Sequence, residues 1–267
     1  MEANSSKQNT EITRKPRLMA VLAHPDDESL GVGGTLAKYA SKGIDVFLLT
    51  ATRGDSGRFR GYRLDDHQHP GPSALANIRE GKLRAAASAL GVREVSILDY
   101  HDQQLDRANA SEAVAIIAQH IRRIQPNVVV TFGPDGAYGH PDHIAISQFT
   151  TAAIIAAADP AYQCDGTQAL QSHAVSKLYY IAWPESTWKA YQSAFRKLVS
   201  TVDGIERQAV PWPASPTSPR NGTGIPDGTG TATRPRPDRG IWICWSSYVA
   251  ERPLILDLAV EPGRLQR

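Results

Sequence analysis

Apolar residues gather in short, nearly continuous runs at 18–22, 44–50, 95–98, 128–132 and 177–181. None of these runs alternates with period two. A near-continuous apolar run fits a strand buried on both faces, as in a parallel sheet. The intervening segments read as helices. Residues 35–40 form a short amphipathic turn closed by Gly43, and 78–91 is alanine-rich and ends at Gly91. Next, Ser111 is the expected N-cap of a helix that lines up Val114, Ile117, Ile121 and Ile124 and stops before Pro126. Apolar helical stretches follow at 144–158 and around 186–200. Strands alternating with helices predict an α/β domain with right-handed crossovers.

The pattern fails in three places. Residues 1–15 are polar and lack the apolar core of a secretory leader, so a disordered arm is expected there. Residues 52–73 carry Gly, Arg, Asp and His with no period, which reads as a long loop at one sheet edge. From about 211 onward Pro, Gly, Thr, Ser and Arg take over through 239, a composition unable to offset its ordering entropy by apolar burial. The expected division is therefore an arm (1–15), a folded domain (16–210) and an atypical, largely irregular tail (211–267). Within that tail, 241–245 and 254–256 have the composition of short strands. The shift fits a divergent or frameshifted end, and an intact, expressed reading frame through residue 267 would exclude the frameshift.

Composition narrows the function classes. With 267 residues and 41% hydrophobic content, the chain has enough material for one sizeable core. A net charge of +2 with dispersed basic residues gives no footprint for nucleic acid. Cys164 and Cys244 lie far apart, which argues against a disulfide framework or a cysteine zinc site. No apolar run is long enough to span a bilayer, and a cytoplasmic location is expected. Self-association is left open.

Two dense polar clusters each follow an expected strand. The first is Ala23-His24-Pro25-Asp26-Asp27-Glu28, and the second runs from Gly133 to His143 and includes His140-Pro141-Asp142-His143. Pro141 suits the first turn of the following helix. Strand-to-helix loops of parallel sheets share one edge, so the two clusters can meet. His24, Asp27 and one histidine of the second cluster would make a two-histidine, one-carboxylate metal site. Zinc and ferrous iron both accept that set. Asp26, next to a ligand yet free, points to hydrolysis, because it can take a proton from water acidified by the metal. The remaining histidine of the second cluster is placed to stabilise an oxyanion or to protonate a leaving amine. Gly31, Gly33 and Gly34 fail the dinucleotide-binding spacing, so no nicotinamide cofactor is expected.

These motifs resemble those of the LmbE-like, or PIG-L-like, zinc-dependent N-acetylglucosamine deacetylases, whose A-H-P-D-D-E and G-H-P-D-H signatures match residues 23–28 and 139–143. The resemblance covers roughly residues 17–200. It implies a Rossmann-like three-layer α/β/α sandwich with a mostly parallel sheet, and an N-acetylated sugar or sugar conjugate as substrate. It makes His24, Asp27 and His143 the zinc ligands and Asp26 the general base. His140 becomes the stabiliser of the charged intermediate, with Asp142 as its orienting partner, and Tyr138 helps polarise the amide. By the same resemblance Arg79 and Asp102 are sugar contacts, while Glu28 is a supporting residue. Two departures stand out: Lys82 replaces a glutamate common in the family, and the family's late strands and helix are not recognisable after about residue 212. Two other readings compete, a catalytically impaired sugar-binding or interaction protein and a metal-dependent phosphoesterase.

Overall fold

A computed structural model describes residues 14–164 and 170–182 in full and the backbone of 199–202, 205–208 and 243–246. Strand β1 (Arg17–Leu22) is the centre, and Met19 to Leu22 are wholly excluded from solvent. It pairs in parallel with β2 (Asp45–Thr52), Leu18 opposite Val46, and with β4 (Val128–Phe132), Leu18 opposite Val128. Outside these lie β3 (Glu94–Tyr100) next to β2 and β5 (Lys177–Ile181) next to β4. A sixth parallel strand, β8 (Ile243–Ser246), pairs with β5. The sheet order is therefore β3-β2-β1-β4-β5-β8, an α/β sandwich architecture with flanking helices. A short antiparallel pair, β6 (Val199–Val202) with β7 (Ile205–Gln208), stands apart from the sheet.

This order decides where a ligand can sit. The chain moves outward from β1 to β3, then returns to start again at β4 on the other side of β1. The reversal opens a crevice past the carboxyl ends of β1 and β4, where open parallel sheets bind ligands. The first polar cluster leads into α1 (Asp27–Leu30) and α2 (Gly33–Ser41), and the second passes through the kinked turn α5 (Gly136–Gly139) into α6 (Pro141–Ala158). Hydroxyls bind the strands together at this edge: Thr52 donates both its N–H and its Oγ1 proton to Ala23 O, and Thr131 Oγ1 donates to Val21 O.

Several boundaries differ from the expectation. Helix α3 (Pro72–Ala89) begins six residues before Ile78, because Pro72 sits at its first turn and Leu75 and Ala76 are buried there. The long loop is shortened to 53–71. Strand β3 runs on to Tyr100, so Asp99 lies inside it with its side chain in solvent. Helix α4 (Ala110–Ile124) is capped by Asn109, whose Oδ1 accepts from Ser111 N at 3.0 Å and Glu112 N at 3.4 Å, so Ser111 is the second helical residue and not the cap. Asn109→Ala should cost about 1 kcal/mol of stability, read from the urea midpoint at unchanged slope.

Helices α4 and α6 pack closely against each other. Buried Arg122 of α4 closes the far end of α6 by donating to the carbonyls of Ala156, Ala157 and Asp159. That caps orphan carbonyls and complements the helix dipole, and it fixes the helix whose other end carries His140 and His143. Most of the helix expected around 186–200 lies outside the described residues, although Val199 and Ser200 belong to β6. Residues 1–13 of the expected arm and most of the tail also lie outside them. Among the described residues no helix is long and apolar enough to cross a membrane.

Candidate active site

His24, Asp27 and His143 come together at the crevice, each buried. His24 Nδ1 lies 3.2 Å from His143 Nε2 and 3.6 Å from Asp27 Oδ2, and His143 Nε2 lies 3.4 Å from Asp27 Oδ1. Tetrahedral zinc, with ligand bonds near 2.0–2.1 Å, sets its ligand atoms about 3.3 Å apart. The remaining contacts of each ring fix its tautomer. His143 Nδ1 has Gly136 O at 3.2 Å as acceptor, so its Nε2 presents a lone pair. His24 Nε2 faces Asp142 Oδ2 at 3.0 Å and Asp102 Oδ1 at 3.1 Å, which leaves the Nδ1 lone pair facing inward. Two lone pairs 3.2 Å apart repel unless a proton or a cation lies between them, and the Asp27 carboxylate completes a donor set suited to a cation. Phe132 stacks on His143 at 3.8 Å and fixes its plane.

The surrounding carboxylates draw positive charge to the same place. Burial opposes charge on His24, but its contacts with Asp102, Asp142 and Asp27 outweigh it and raise its pKa well above the usual imidazole range. Burial likewise opposes charge on Asp27, yet the neighbouring His143 and His24 hold its carboxyl well below the usual carboxylate range. Asp27 Oδ2 also accepts from the backbone N–H groups of Ala23 and His24.

Asp26 stands at the mouth with its side chain 52% exposed. Its backbone is forced to φ 120°, a region L-residues rarely occupy, at a cost of order 1–3 kcal/mol. Buried Glu28 holds this conformation by accepting from Asp26 N at 2.9 Å. Burial of the carboxyl raises the Asp26 pKa, with the Arg79 guanidinium pulling the other way.

Across the crevice, His140 caps α6, its Nδ1 accepting from Asp142 N at 3.2 Å. That leaves Nε2 with the proton. Burial, together with the nearby His24 and His143 rings, lowers its pKa to about 4, so the ring is neutral near neutral pH. Tyr138 meets His143 and His140 edge-on, at 5.3 and 5.8 Å between ring centroids. Its phenol is pushed up to about 12, chiefly by burial, and keeps its proton. Ala137, just before it, is held at φ 67°, ψ −64°, a strained turn that aims the tyrosine.

Three residues take contacts that the sequence did not disclose. The Asp142 carboxylate accepts from His24 Nε2, Gln103 N (2.7 Å) and Leu105 N (3.1 Å), and its link to His140 runs through its own backbone N–H. Asp102 also faces His24. Arg79 bonds to Gly54 O, Pro25 O and Asp26 Oδ2. Lys82 is exposed. Asp55 escaped the sequence reading altogether: it accepts from Asp102 N at 2.9 Å and contacts His101 Nδ1 at 3.0 Å. Its place just past the end of β2, on the ligand-binding edge, was the available signal.

Comparison with known proteins gives a consistent picture. Residues 19–154 match the family described as PIG-L: GlcNAc-PI de-N-acetylase. The chain is 36% identical to a 1D-myo-inositol 2-acetamido-2-deoxy-alpha-D-glucopyranoside deacetylase of Kineococcus radiotolerans, over 80% of this chain and 64% of that protein. It is also 36% identical to the deacetylase of that name numbered 2 from Catenulispora acidiphila, over 73% of this chain and 70% of the relative. The chain thus spans about two thirds of the length of these relatives. Among solved structures, the 4-carboxy-2-hydroxymuconate hydratase GalB of Pseudomonas putida KT2440 superposes with a TM-score of 0.52 at 22% identity, over 60% of this chain and 62% of the hydratase, a likeness of fold alone.

Proposed function

The chain belongs to the PIG-L, or GlcNAc-PI de-N-acetylase, family, and on that premise we propose that it is a zinc-dependent hydrolase removing the N-acetyl group from an N-acetylglucosamine-type sugar or sugar conjugate. The observation that carries this reading is the convergence of two imidazole nitrogens and one carboxylate, with the Asp26 carboxylate, paired to Arg79, at their side. His24, Asp27 and His143 would hold the metal. A bound zinc ion would supply a Lewis acid that acidifies water and polarises the amide carbonyl.

The chain's own groups do the rest. Asp26 takes a proton from the attacking water as oxygen bonds to the amide carbon. The negative charge that develops on the former carbonyl oxygen is met by the Nε2 proton of neutral His140 and by the Tyr138 hydroxyl, both fixed before the reaction begins. When the C–N bond breaks, Asp26 returns the proton to the departing amine, and the products are acetate and a free amino sugar. Asp142 and Asp102 keep the His24 tautomer that turns Nδ1 inward, a role carboxylates commonly play beside metal-ligating histidines.

The test is acetate release by the zinc-loaded full chain from a panel of N-acetylated sugars, headed by the inositol 2-acetamido-2-deoxy-glucopyranoside named for the relatives. Release should fall to background after chelation and return with zinc. Sugar binding by the zinc-loaded protein with no acetate from any member would overturn the reading in favour of a binding protein.

A further inference from the structure

Asp55 follows β2 at the sheet edge that carries the site, and the turn that holds it is fixed from several sides. Gly54 takes φ 65°, and its N–H donates to Oγ1 of buried Thr52 at 3.2 Å. Gly57 N closes the turn on Gly54 O at 3.3 Å. His69 Nδ1 accepts from Gly71 N at 3.0 Å, so Nε2 carries the proton and donates to Gly57 O at 3.1 Å. On this support the Asp55 carboxylate faces the loop that follows β3. Its Oδ1 accepts from Asp102 N at 2.9 Å and its Oδ2 from His101 Nδ1 at 3.0 Å. From the other side the Asp142 carboxylate accepts from Gln103 N and Leu105 N. Gln103 is held at φ 68°, a conformation that L-residues rarely adopt. Two carboxylates thus grip the 101–105 loop, and from it buried Asp102 presents Oδ1 to His24 Nε2 at 3.1 Å.

We propose that Asp55 is a positioning residue: by accepting from the Asp102 backbone N–H it seats the Asp102 carboxylate against His24 Nε2, and so supports the inward-facing Nδ1 from two loops away. The proposal rests on His24 being a metal ligand. A carboxylate that orients a ligating histidine must itself be held, because the ring direction is only as well defined as its partner. The bond to Asp102 N carries this role, since it acts on the residue whose carboxylate touches His24. The pair with His101 does not: the His101 side chain is 72% exposed, and water screens an ion pair there to little worth.

The test is a competitive zinc titration of the full chain without sugar, so that any contact of Asp102 with substrate does not enter. Asp55→Ala should weaken zinc binding about tenfold, the lower end for groups that orient a ligating histidine. Asp55→Asn keeps an oxygen acceptor for Asp102 N and should stay within about threefold of the parent, and His101→Ala within about twofold. Asp102→Ala should itself weaken zinc by about tenfold or more, and adding Asp55→Ala to it should change the Kd by less than about twofold, because the two act through one carboxylate. A purely structural role would weaken zinc equally in both backgrounds. Asp55→Ser, whose hydroxyl falls short of Asp102 N, takes the place of Asp55→Ala if the latter does not fold. Parental zinc affinity in Asp55→Ala, equal losses in the two backgrounds, or the full loss in Asp55→Asn or His101→Ala would overturn the proposal while leaving the deacetylase reading intact. The expected affinities with no acetate from any N-acetylated sugar would overturn the deacetylase reading alone, and no zinc bound by the unsubstituted protein would overturn both.

Discussion

Replacing Asp26 with asparagine is expected to lower kcat for acetate release by roughly 10²–10⁴-fold, the usual worth of a positioned general base. Asparagine has nearly the same shape, and its carbonyl oxygen can still accept from Arg79, so the loop keeps its anchor at Oδ2. The proposed metal donors are untouched, since His24, Asp27 and His143 make none of their mutual contacts through this side chain. Only the ability to take up a proton is lost. The measurement is steady-state acetate release alongside zinc content per chain. An Asp26→Asn protein with full zinc and undiminished kcat would remove Asp26 from the reaction.

Asp142→Ala should damage the fold and the proposed metal site together. The Asp142 side chain is wholly buried and accepts from three donors, His24 Nε2, Gln103 N and Leu105 N. Removing the carboxylate leaves the buried Leu105 N–H without its bond, at about 1–3 kcal/mol, and frees the part-buried Gln103 N–H as well. The expected loss is about 3 kcal/mol of stability, a large share of the roughly 5–15 kcal/mol typical of a domain. His24 then keeps only Asp102 on its outer nitrogen, and zinc affinity should fall by about 10–100-fold. Urea unfolding gives the first quantity and a competitive zinc titration the second. A variant with parental stability and affinity would show that Asp102 alone suffices.

The strands of the sheet were legible because each is an apolar run long enough to be buried and too short to be a helix, as with 128–132 between Pro126 and Gly133. Both polar clusters could be read for the same reason: a strand-to-helix loop dense in His and Asp has few structural explanations. Partners across the fold were not legible. That the Asp142 carboxylate turns to His24, 118 residues away, depends on β4 lying beside β1 and on the 101–105 loop folding over it. Arg79 was marked by the resemblance alone, since its bonds to Gly54 O, Pro25 O and Asp26 Oδ2 join residues 25 to 54 positions apart. The cap of α4 was misassigned because Asn109 and Ser111 are both good caps two positions apart, and only the hydrogen bonds decide between them. The start of α3 was missed because residues 72–77 bury only Leu75 and Ala76, too few to establish a period.

The parallel pairing of β1 with β4 also governs the order in which the molecule can assemble. His24 and His143 are 119 residues apart and meet only when Leu18 has found Val128, after the chain has laid down β2, α3, β3 and α4. Such long-range closure is entropically costly and slow, so the donor set is completed late and is absent from the unfolded chain. A metal with little affinity for that chain draws the equilibrium toward the native state: at a free concentration one hundred times its Kd it adds about 2.7 kcal/mol. Supply of the ion would then set how much folded protein persists as well as how fast it works.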